Sequence, residues 1–531
     1  MAKQQDFDAR VRTLSVDQRV FAPLFAERVR RDAHRRFLTM GDRSFTYGEI
    51  GELSLAFARG LARLGVGPGS VVPIILPNCP EFVIAWFALH LRGATMALVN
   101  PDLKGRLLEN ALEDCKPRVV IVGAAQLAHL SSVGAGHLAG IEAAIVVDPA
   151  AQAAPAVRVL AFDDVLERDG DDPVRPATFD QVQAIFFTSG SSGPPKGVLM
   201  PNAHFFANAC TFLRLSALQR DDVLHTSLPL FHGIASRQGV LPAFMIGAQV
   251  HLGAKFSASR FWQTVAEAGA TIALLTPTMT PVLNALPPGP FDRRHRLRAL
   301  YNVPHDESFE RRFGVRMLSA FAITEVGAFI HTPYPERRFG SVGMAHPDWE
   351  VAIVDDADRP VAPGEAGELV CRPRQPFIMM QGYLNRAPAT LSAWRNLWYH
   401  TGDIMRRDAE GYYYFVDRNR DRIRRRGENI SPSEIEREVR MHPGVKDCVV
   451  VGHAAPLGED DIRLLVVGKA PDSLPGPAGL AAWLSDRLPS SMVPRYIEYA
   501  EDLPLTATGK VDRNAARESP LGPMAWDGQL K

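Results

Sequence analysis

Residues 186–200 read FFTSGSSGPPKGVLM, an apolar run that gives way to Thr188, Ser189, Gly190, Ser191, Ser192 and Gly193, then to two prolines and Lys196. Such a loop has almost no side-chain bulk to bury. Its assets are backbone N–H groups, short hydroxyls and one ammonium. Successive N–H groups form an anion-binding concavity, and a lysine adds a point charge, so the chemistry this stretch suits is that of a polyanion. Two familiar loops are excluded. A Walker A loop needs G-x-x-x-x-G-K-(S/T), whereas Lys196 follows Pro195 and precedes Gly197. A nucleophile elbow needs G-x-S-x-G, and GSSGP lacks the last glycine. Taken by itself the segment could instead be a Gly/Ser surface loop, so its surroundings must decide.

The elements that would position it alternate. GELSLAFARGLARLG (51–65) has helical periodicity and SVVPIIL follows as a strand; PEFVIAWFALHLRG is a second helix and ATMALVN a second strand. KPRVVIVG and GIEAAIVVD are short β-branched runs of the kind buried in parallel sheets. Strand–helix alternation predicts an α/β layered fold. The loop leaves a strand at 184–187 and precedes a helix that begins near Asn202, while GVGPG (65–69) reads as a plain turn. Between Pro149 and Asp180 the Ala, Pro and Asp content predicts a surface excursion. Near Asp417 the composition changes to VDRNRDRIRRRGENI, after which a compact helix–strand–strand–helix pattern restarts. We therefore expect a large N-terminal domain of layered α/β subdomains over residues 1–418 and a small, mobile α+β domain over 419–531, hinged around 418–424.

Global properties narrow the class. The 531 residues exceed a single core, and 46% apolar with 22% charged content is ordinary for a globular chain. Lys+Arg and Asp+Glu are both 59, so no global field favours nucleic acid or anionic membrane. The N-terminus MAKQQDFDARVR lacks an apolar h-region, no apolar run is long enough for a bilayer span, and the five cysteines contain no CxxC pair. A cytoplasmic protein without a disulfide framework is expected.

TSGSSGPPKG resembles the phosphate-binding signature of the adenylate-forming superfamily, which includes acyl-CoA synthetases, luciferases and the adenylation domains of peptide synthetases. Five further patterns of that family follow in order: LPLFHGIA (228–235) around His232, FAITE (321–325) in place of YGxTE, YHTGD (399–403), DRNRDRIRRRGENISPSEIE (417–436) and PLTATGK (504–510). Order and spacing over nearly the whole chain carry the resemblance. RRRGENIS and FERRFGVRMLSAFAITE look most like the crotonobetaine/carnitine-CoA ligase group.

The resemblance implies an acid–CoA ligase using ATP, Mg²⁺ and CoA, in which a carboxylate attacks the α-phosphate and the acyl-adenylate is then passed to a thiol. Phosphoryl transfer depends on positioning and charge stabilisation more than on covalent help. Thr188, Ser189, Gly190, Ser191, Ser192, Gly193 and Lys196 would hold the β- and γ-phosphates. Thr324 would bond the α-phosphate and Glu325 would ligate Mg²⁺. Phe321 would stack on adenine, and Asp403 with Arg418 would take the ribose. Lys510 would reach the α-phosphate in one pose of the small domain. Rotation about Arg420 would then bring Gly427 beside the pantetheine arm, with His232 gating the thiol tunnel. On their own, Glu325 and Asp403 are solvated acids, Lys510 an exposed lysine and His232 a satisfied core histidine.

The chain departs from the family pattern in places. Phe321 replaces a tyrosine, keeping the stacking face but losing a hydroxyl, and Ala322 replaces glycine. LYNVPHDE stands where a GGAP-type turn is common, and Arg426 stands where a glycine is usual. Arg237, Gln238, Tyr301, Asn302, His305 and His331 are polar groups in pocket-forming segments, which hints at a small or polar acid rather than a long chain; facing solvent is their alternative. Three other functions share much of this pattern: loading of an acyl carrier protein's phosphopantetheine, a luciferase-like oxygenase, and a non-enzymatic phosphate-binding protein. An activated oxyanion other than a carboxylate also stays open.

Overall fold

The computed structural model describes residues 7–103, 105–130, 133–148, 157–188, 196–277, 279–301, 303–418, 423–425, 428–430, 432–454, 460–470, 473–488, 492–506 and 510–528. The chain forms two compact units, residues 1–350 with 372–397, and residues 351–371 with 398–531.

In the first unit the periodic segments form the elements their pattern predicts. Tyr47–Arg63 is a helix that starts with a capping box: the Thr46 hydroxyl accepts from Glu49 N (3.1 Å) and the Glu49 carboxylate accepts from Thr46 N (2.7 Å). Pro80–Leu91 carries proline at its first position and is apolar nearly all round, so it is buried nearly all round. Tyr47–Arg63 packs on Pro80–Leu91, which in turn packs on Thr95–Leu98 and Val71–Ile75 of a sheet whose strands run, edge to edge, Gly382–Tyr383, Lys196–Pro201, Val182–Thr188, Thr95–Leu98, Val71–Ile75, Val119–Gly123, Ala143–Val147 and Arg158–Ala161. From Val182–Thr188 to Arg158–Ala161 the neighbours are parallel, and Val119–Gly123 and Ala143–Val147 are buried at every residue. The other two strands join antiparallel.

One expectation is corrected here. The 149–180 excursion is not all surface: Arg158–Ala161 is the edge strand of this sheet, and the ring of Phe162, buried just after it, stacks on Phe57 at 4.2 Å. An edge strand needs only one paired side and one anchoring ring, so a short apolar interval is enough.

A second sheet runs Arg316–Leu318, Ala299–Tyr301, Ile272–Leu274, Val223–Thr226, Gln249–Leu252, Arg36–Met40 and Arg43–Thr46, parallel except for its last pair. The helix Asn202–Leu215 is buried along almost its whole length, and the hairpin Ala320–Ile323/Gly327–His331 packs on it.

The second unit carries the antiparallel strands Ala366–Pro373, Trp398–Arg407 and Tyr413–Arg418. Its C-terminal part pairs Val445–Ala454 with Asp460–Gly468 and adds Tyr496–Tyr499 and Trp526–Asp527, under the helices Pro432–Arg440 and Pro477–Ser485. Ile423, Ile435, Val450, Leu464, Leu480 and Ile497 form its apolar centre, an α+β core of the expected kind. Among the described residues no helix is long and apolar enough to cross a membrane.

Candidate active site

The two ends of the opening segment lie on paired strands. Val182–Thr188 and Lys196–Pro201 run antiparallel, with Thr188 opposite Lys196. Ser189, Gly190, Ser191, Ser192 and Gly193 lie outside the described residues. Pairing of Tyr383 with Val198 on the far edge of the second strand brings that ring beside the loop's cation, and Lys196 Nζ lies 4.9 Å from its centroid.

Tyr383 also reaches the acid predicted to bind metal. Its hydroxyl donates to Glu325 Oε1 at 2.8 Å. The backbone of this acidic turn is held independently: Met380 N donates to Glu325 O (2.9 Å), and Arg237 Nη1 donates to Thr324 O (3.3 Å). After the turn, Gly327 takes φ +91, a region that favours glycine, and a Cβ there would overlap the Asn208 side chain. Asn208 fills that space from the long helix, accepting from Ala328 N (3.0 Å) and donating to His204 O (2.9 Å). Thr324 and Glu325 therefore sit on a rigid hairpin while both side chains stay partly exposed, as does Phe321, whose ring meets Phe329 edge-on at 5.6 Å. Glu325 is partly exposed, with its Oε1 held by the Tyr383 hydroxyl.

His232 is exposed, its ring 4.4 Å from Phe231, so it is not a buried core histidine. Its carbonyl accepts from Ser236 N and from the Ser236 hydroxyl at the start of the turn that carries Arg237 and Gln238. Those two side chains, with Tyr301 and His331, are buried rather than facing solvent. Burial lowers the Arg237 guanidinium to about 10, opposed by the nearby Glu325 carboxylate. Arg237 Nη1 also meets His204 Nε2 at 3.1 Å, and burial plus this cation hold His204 well below the usual imidazole range. The Gln238 Oε1, the Tyr301 hydroxyl and both His331 ring nitrogens have no hydrogen-bond partner among the described residues. His305 borders a cleft of about 700 Å³ lined also by Thr280, Pro281, Asn284 and Pro304. Asn302 lies outside the described residues.

In the second unit Asp403 is buried, its N–H donates to the Thr401 hydroxyl (3.1 Å), and it stands opposite Arg418 on the neighbouring strand. Sequence separation had not implied that register. Lys510 is exposed, and its carbonyl accepts from Thr506 N (2.7 Å). Gly427, Arg420 and Arg426 lie outside the described residues.

Three residues escaped sequence reasoning: Tyr383, His204 and Asn208. None sits in a loop motif. Tyr383 is brought in by edge pairing and the other two by one helix face, so only an i, i+4 spacing of polar groups in an otherwise apolar helix could have hinted at the latter pair.

For a metal, the site offers one oriented carboxylate, and among the described residues no three His, Cys, Asp or Glu converge. That donor set fits Mg²⁺, which binds through one or two carboxylates plus substrate phosphates rather than an all-protein cage.

A phosphate-type strand–loop–strand beside an anchored Thr-Glu hairpin, with a separate α+β unit carrying an exposed lysine, is the architecture of adenylate-forming enzymes, and the chain belongs to that family: the description "AMP-binding enzyme" matches residues 25–384 and "AMP-binding enzyme C-terminal domain" matches residues 434–510. It is an acid–thiol ligase of the acyl-CoA synthetase branch, AMP- and pyrophosphate-forming. A crotonobetaine/carnitine–CoA ligase of Salmonella typhimurium (strain LT2) is 31% identical over 489 residues, covering 88% of this chain and 92% of that protein. Among solved structures, a benzoate CoA ligase from Burkholderia xenovorans LB400 superimposes with TM-score 0.79 at 24% identity, covering 94% of this chain and 99% of that one. The O-succinylbenzoate coenzyme A synthetase of Bacillus subtilis, in complex with AMP, gives TM-score 0.79 at 23% identity over 94% and 98% of the two chains.

Proposed function

We propose that this ligase activates a small or polar carboxylic acid, forming an acyl-adenylate from ATP and transferring the acyl group to CoA. The observation that supports the substrate class is the burial of four polar side chains, Arg237 and Gln238 after His232, Tyr301 and His331, with Arg237 hydrogen-bonded to the acidic turn at Thr324 O. Burying an alkyl chain contributes about 0.8 kcal/mol per methylene only against apolar walls, and each polar group such a chain left unpaired would cost about 1–3 kcal/mol.

The positions of the groups support the following roles. Lys196 and the loop behind it bind the β- and γ-phosphates, and Tyr383 keeps the loop cation and Glu325 in fixed relation. Glu325 would hold Mg²⁺, which supplies neutralisation of phosphate charge when bound. Thr324, on a backbone pinned by Arg237, bonds the α-phosphate; Phe321 supplies a face for adenine. Asp403 and Arg418 act as a pair on the ribose hydroxyls. In the proposed division at 418/419 the small domain presents Lys510 for adenylation and Gly427 for thiol transfer, and His232, exposed beside the acyl segment, gates the thiol.

AMP and pyrophosphate release measured over a panel of straight-chain and substituted acids, with and without CoA, tests this. The specificity constant is expected to fall as a straight-chain acid lengthens beyond medium size. A steady rise through palmitate would mean an apolar tunnel and would end this assignment.

A further inference from the structure

The ladder between Ala366–Pro373 and Trp398–Arg407 is interrupted at the proposed ribose turn. Val370 stands opposite His400 and Glu368 opposite Ile404, so Leu369 alone faces Thr401, Gly402 and Asp403. Three residues cannot all take ladder partners from one, and the backbone groups left over need other acceptors. The Glu368 carboxylate meets this bulge at two points. Its Oε1 accepts from Gly402 N at 3.0 Å and its Oε2 accepts from His400 Nδ1 at 2.9 Å. Leu369 O accepts from the Thr401 hydroxyl (2.8 Å), whose oxygen accepts in turn from Asp403 N (3.1 Å). Gly402 takes φ +72, a left-handed conformation, although a Cβ there would meet nothing within 4 Å, so glycine serves the turn's shape rather than its space. The clamp is sheltered: the His400 side chain is 6% exposed and that of Glu368 13%. Charge-assisted hydrogen bonds strengthen in such surroundings. Asp403, the last residue of the bulge, is itself buried and stands opposite Arg418 on the next strand.

We propose that Glu368 is a positioning residue for the nucleotide: its carboxylate clamps the His400 ring and the Gly402 N–H, and so fixes the 401–403 bulge in the form that presents Asp403 to the ribose hydroxyls. This rests on the ribose reading of Asp403 and Arg418 given above and adds a residue that acts through the turn rather than on the ribose. A carboxylate suits the position because both of its oxygens accept, whereas an amide would turn its NH₂ on one of the two donors.

Calorimetric titration of the full chain with ATP and with 2′,3′-dideoxyATP, each with Mg²⁺ and without acid or CoA, tests the assignment. Wild type is expected to bind ATP about a hundredfold more tightly, roughly tenfold for each hydroxyl that donates to a carboxylate. Asp403→Ala should abolish that preference. Glu368→Ala should cut it about tenfold by weakening ATP, with dideoxyATP affinity held within about threefold. Amide exchange across Trp398–Arg407, read by mass spectrometry, should quicken in the same variant. Glu368→Gln, which keeps one acceptor, should fall between. Circular dichroism checks folding; if Glu368→Ala does not fold, Glu368→Gln decides, and an unchanged ATP preference in it overturns the proposal. A Glu368→Ala loss that is equal for the two nucleotides also overturns it, since the clamp would then be a fold contact only, as does unchanged amide exchange. Loss of the preference in Asp403→Ala but not in Glu368→Ala would leave the ribose reading standing and remove Glu368 from it. Equal binding of both nucleotides by wild type would end the ribose reading itself, and the proposal with it.

Discussion

Replacing Tyr383 with phenylalanine removes a single hydroxyl from the centre of the site and leaves everything else in place. The ring that faces the Lys196 ammonium at 4.9 Å stays, and so do the two backbone anchors of the acidic turn, Met380 N to Glu325 O and Arg237 Nη1 to Thr324 O. What disappears is the 2.8 Å hydrogen bond to Glu325 Oε1. A hydrogen bond to a charged group contributes about 1.5–3 kcal/mol, and because Glu325 is half-exposed the lower end applies, so the carboxylate's hold on its cation should weaken about tenfold. Initial rates of pyrophosphate release against free Mg²⁺, at fixed ATP and acid, should show the half-saturating Mg²⁺ concentration rising by that factor, with the rate at saturating Mg²⁺ changing much less. Tyr383→Leu should lose the cation–π contact as well, about 0.5–1 kcal/mol more, and this second loss should appear in the KM for ATP. An unchanged Mg²⁺ dependence in Tyr383→Phe would show that the tyrosine does not orient Glu325, and the proposed metal role of that acid would have lost its structural support.

Three other outcomes are expected. Lys510→Ala should abolish acyl-adenylate formation yet spare thioester formation from supplied acyl-adenylate, if the lysine serves one pose of a mobile domain as proposed; equal loss of both half-reactions would contradict domain alternation. Gly327→Ala should lower stability by about 2 kcal/mol or more, from a left-handed backbone and overlap with Asn208, and Asn208→Ala in the same chain should restore part of it, as read by urea unfolding. Burial holds His90, His225 and His331 near a pKa of about 3, whereas unfolded histidine titrates near 6.5. Below pH 6.5 the unfolded chain binds protons that the folded one does not, so stability should fall with decreasing pH, by up to about 1.4 kcal/mol per pH unit for each of them, and unfolding midpoints that are flat between pH 7 and 5 would contradict this.

Much of the molecule is legible in the chain because it depends on local rules. Period and run length mark the helices Tyr47–Arg63 and Pro80–Leu91 and the buried strands Val119–Gly123 and Ala143–Val147, since a segment buried on both sides must be apolar on both sides. The proposed phosphate loop, the Thr324–Glu325 turn, Asp403 and Lys510 could be picked out for a related reason: the contacts proposed for them need particular residue types at short spacing, and short spacing survives in a linear string. Only the tertiary structure decided what stands between those motifs. Tyr383 reaches Glu325 across 58 residues because a two-residue strand pairs with the edge of Lys196–Pro201, a register that no property of GY announces. Arg237 reads in sequence as one polar residue in an apolar segment, and the fold alone makes it a buried guanidinium that donates to Thr324 O. The edge strand Arg158–Ala161 was hidden for the same reason, because its pairing is made by backbone groups that every residue carries. Hydrophobic period is written along the chain; strand register and the partner of a buried charge are properties of neighbours far away in it.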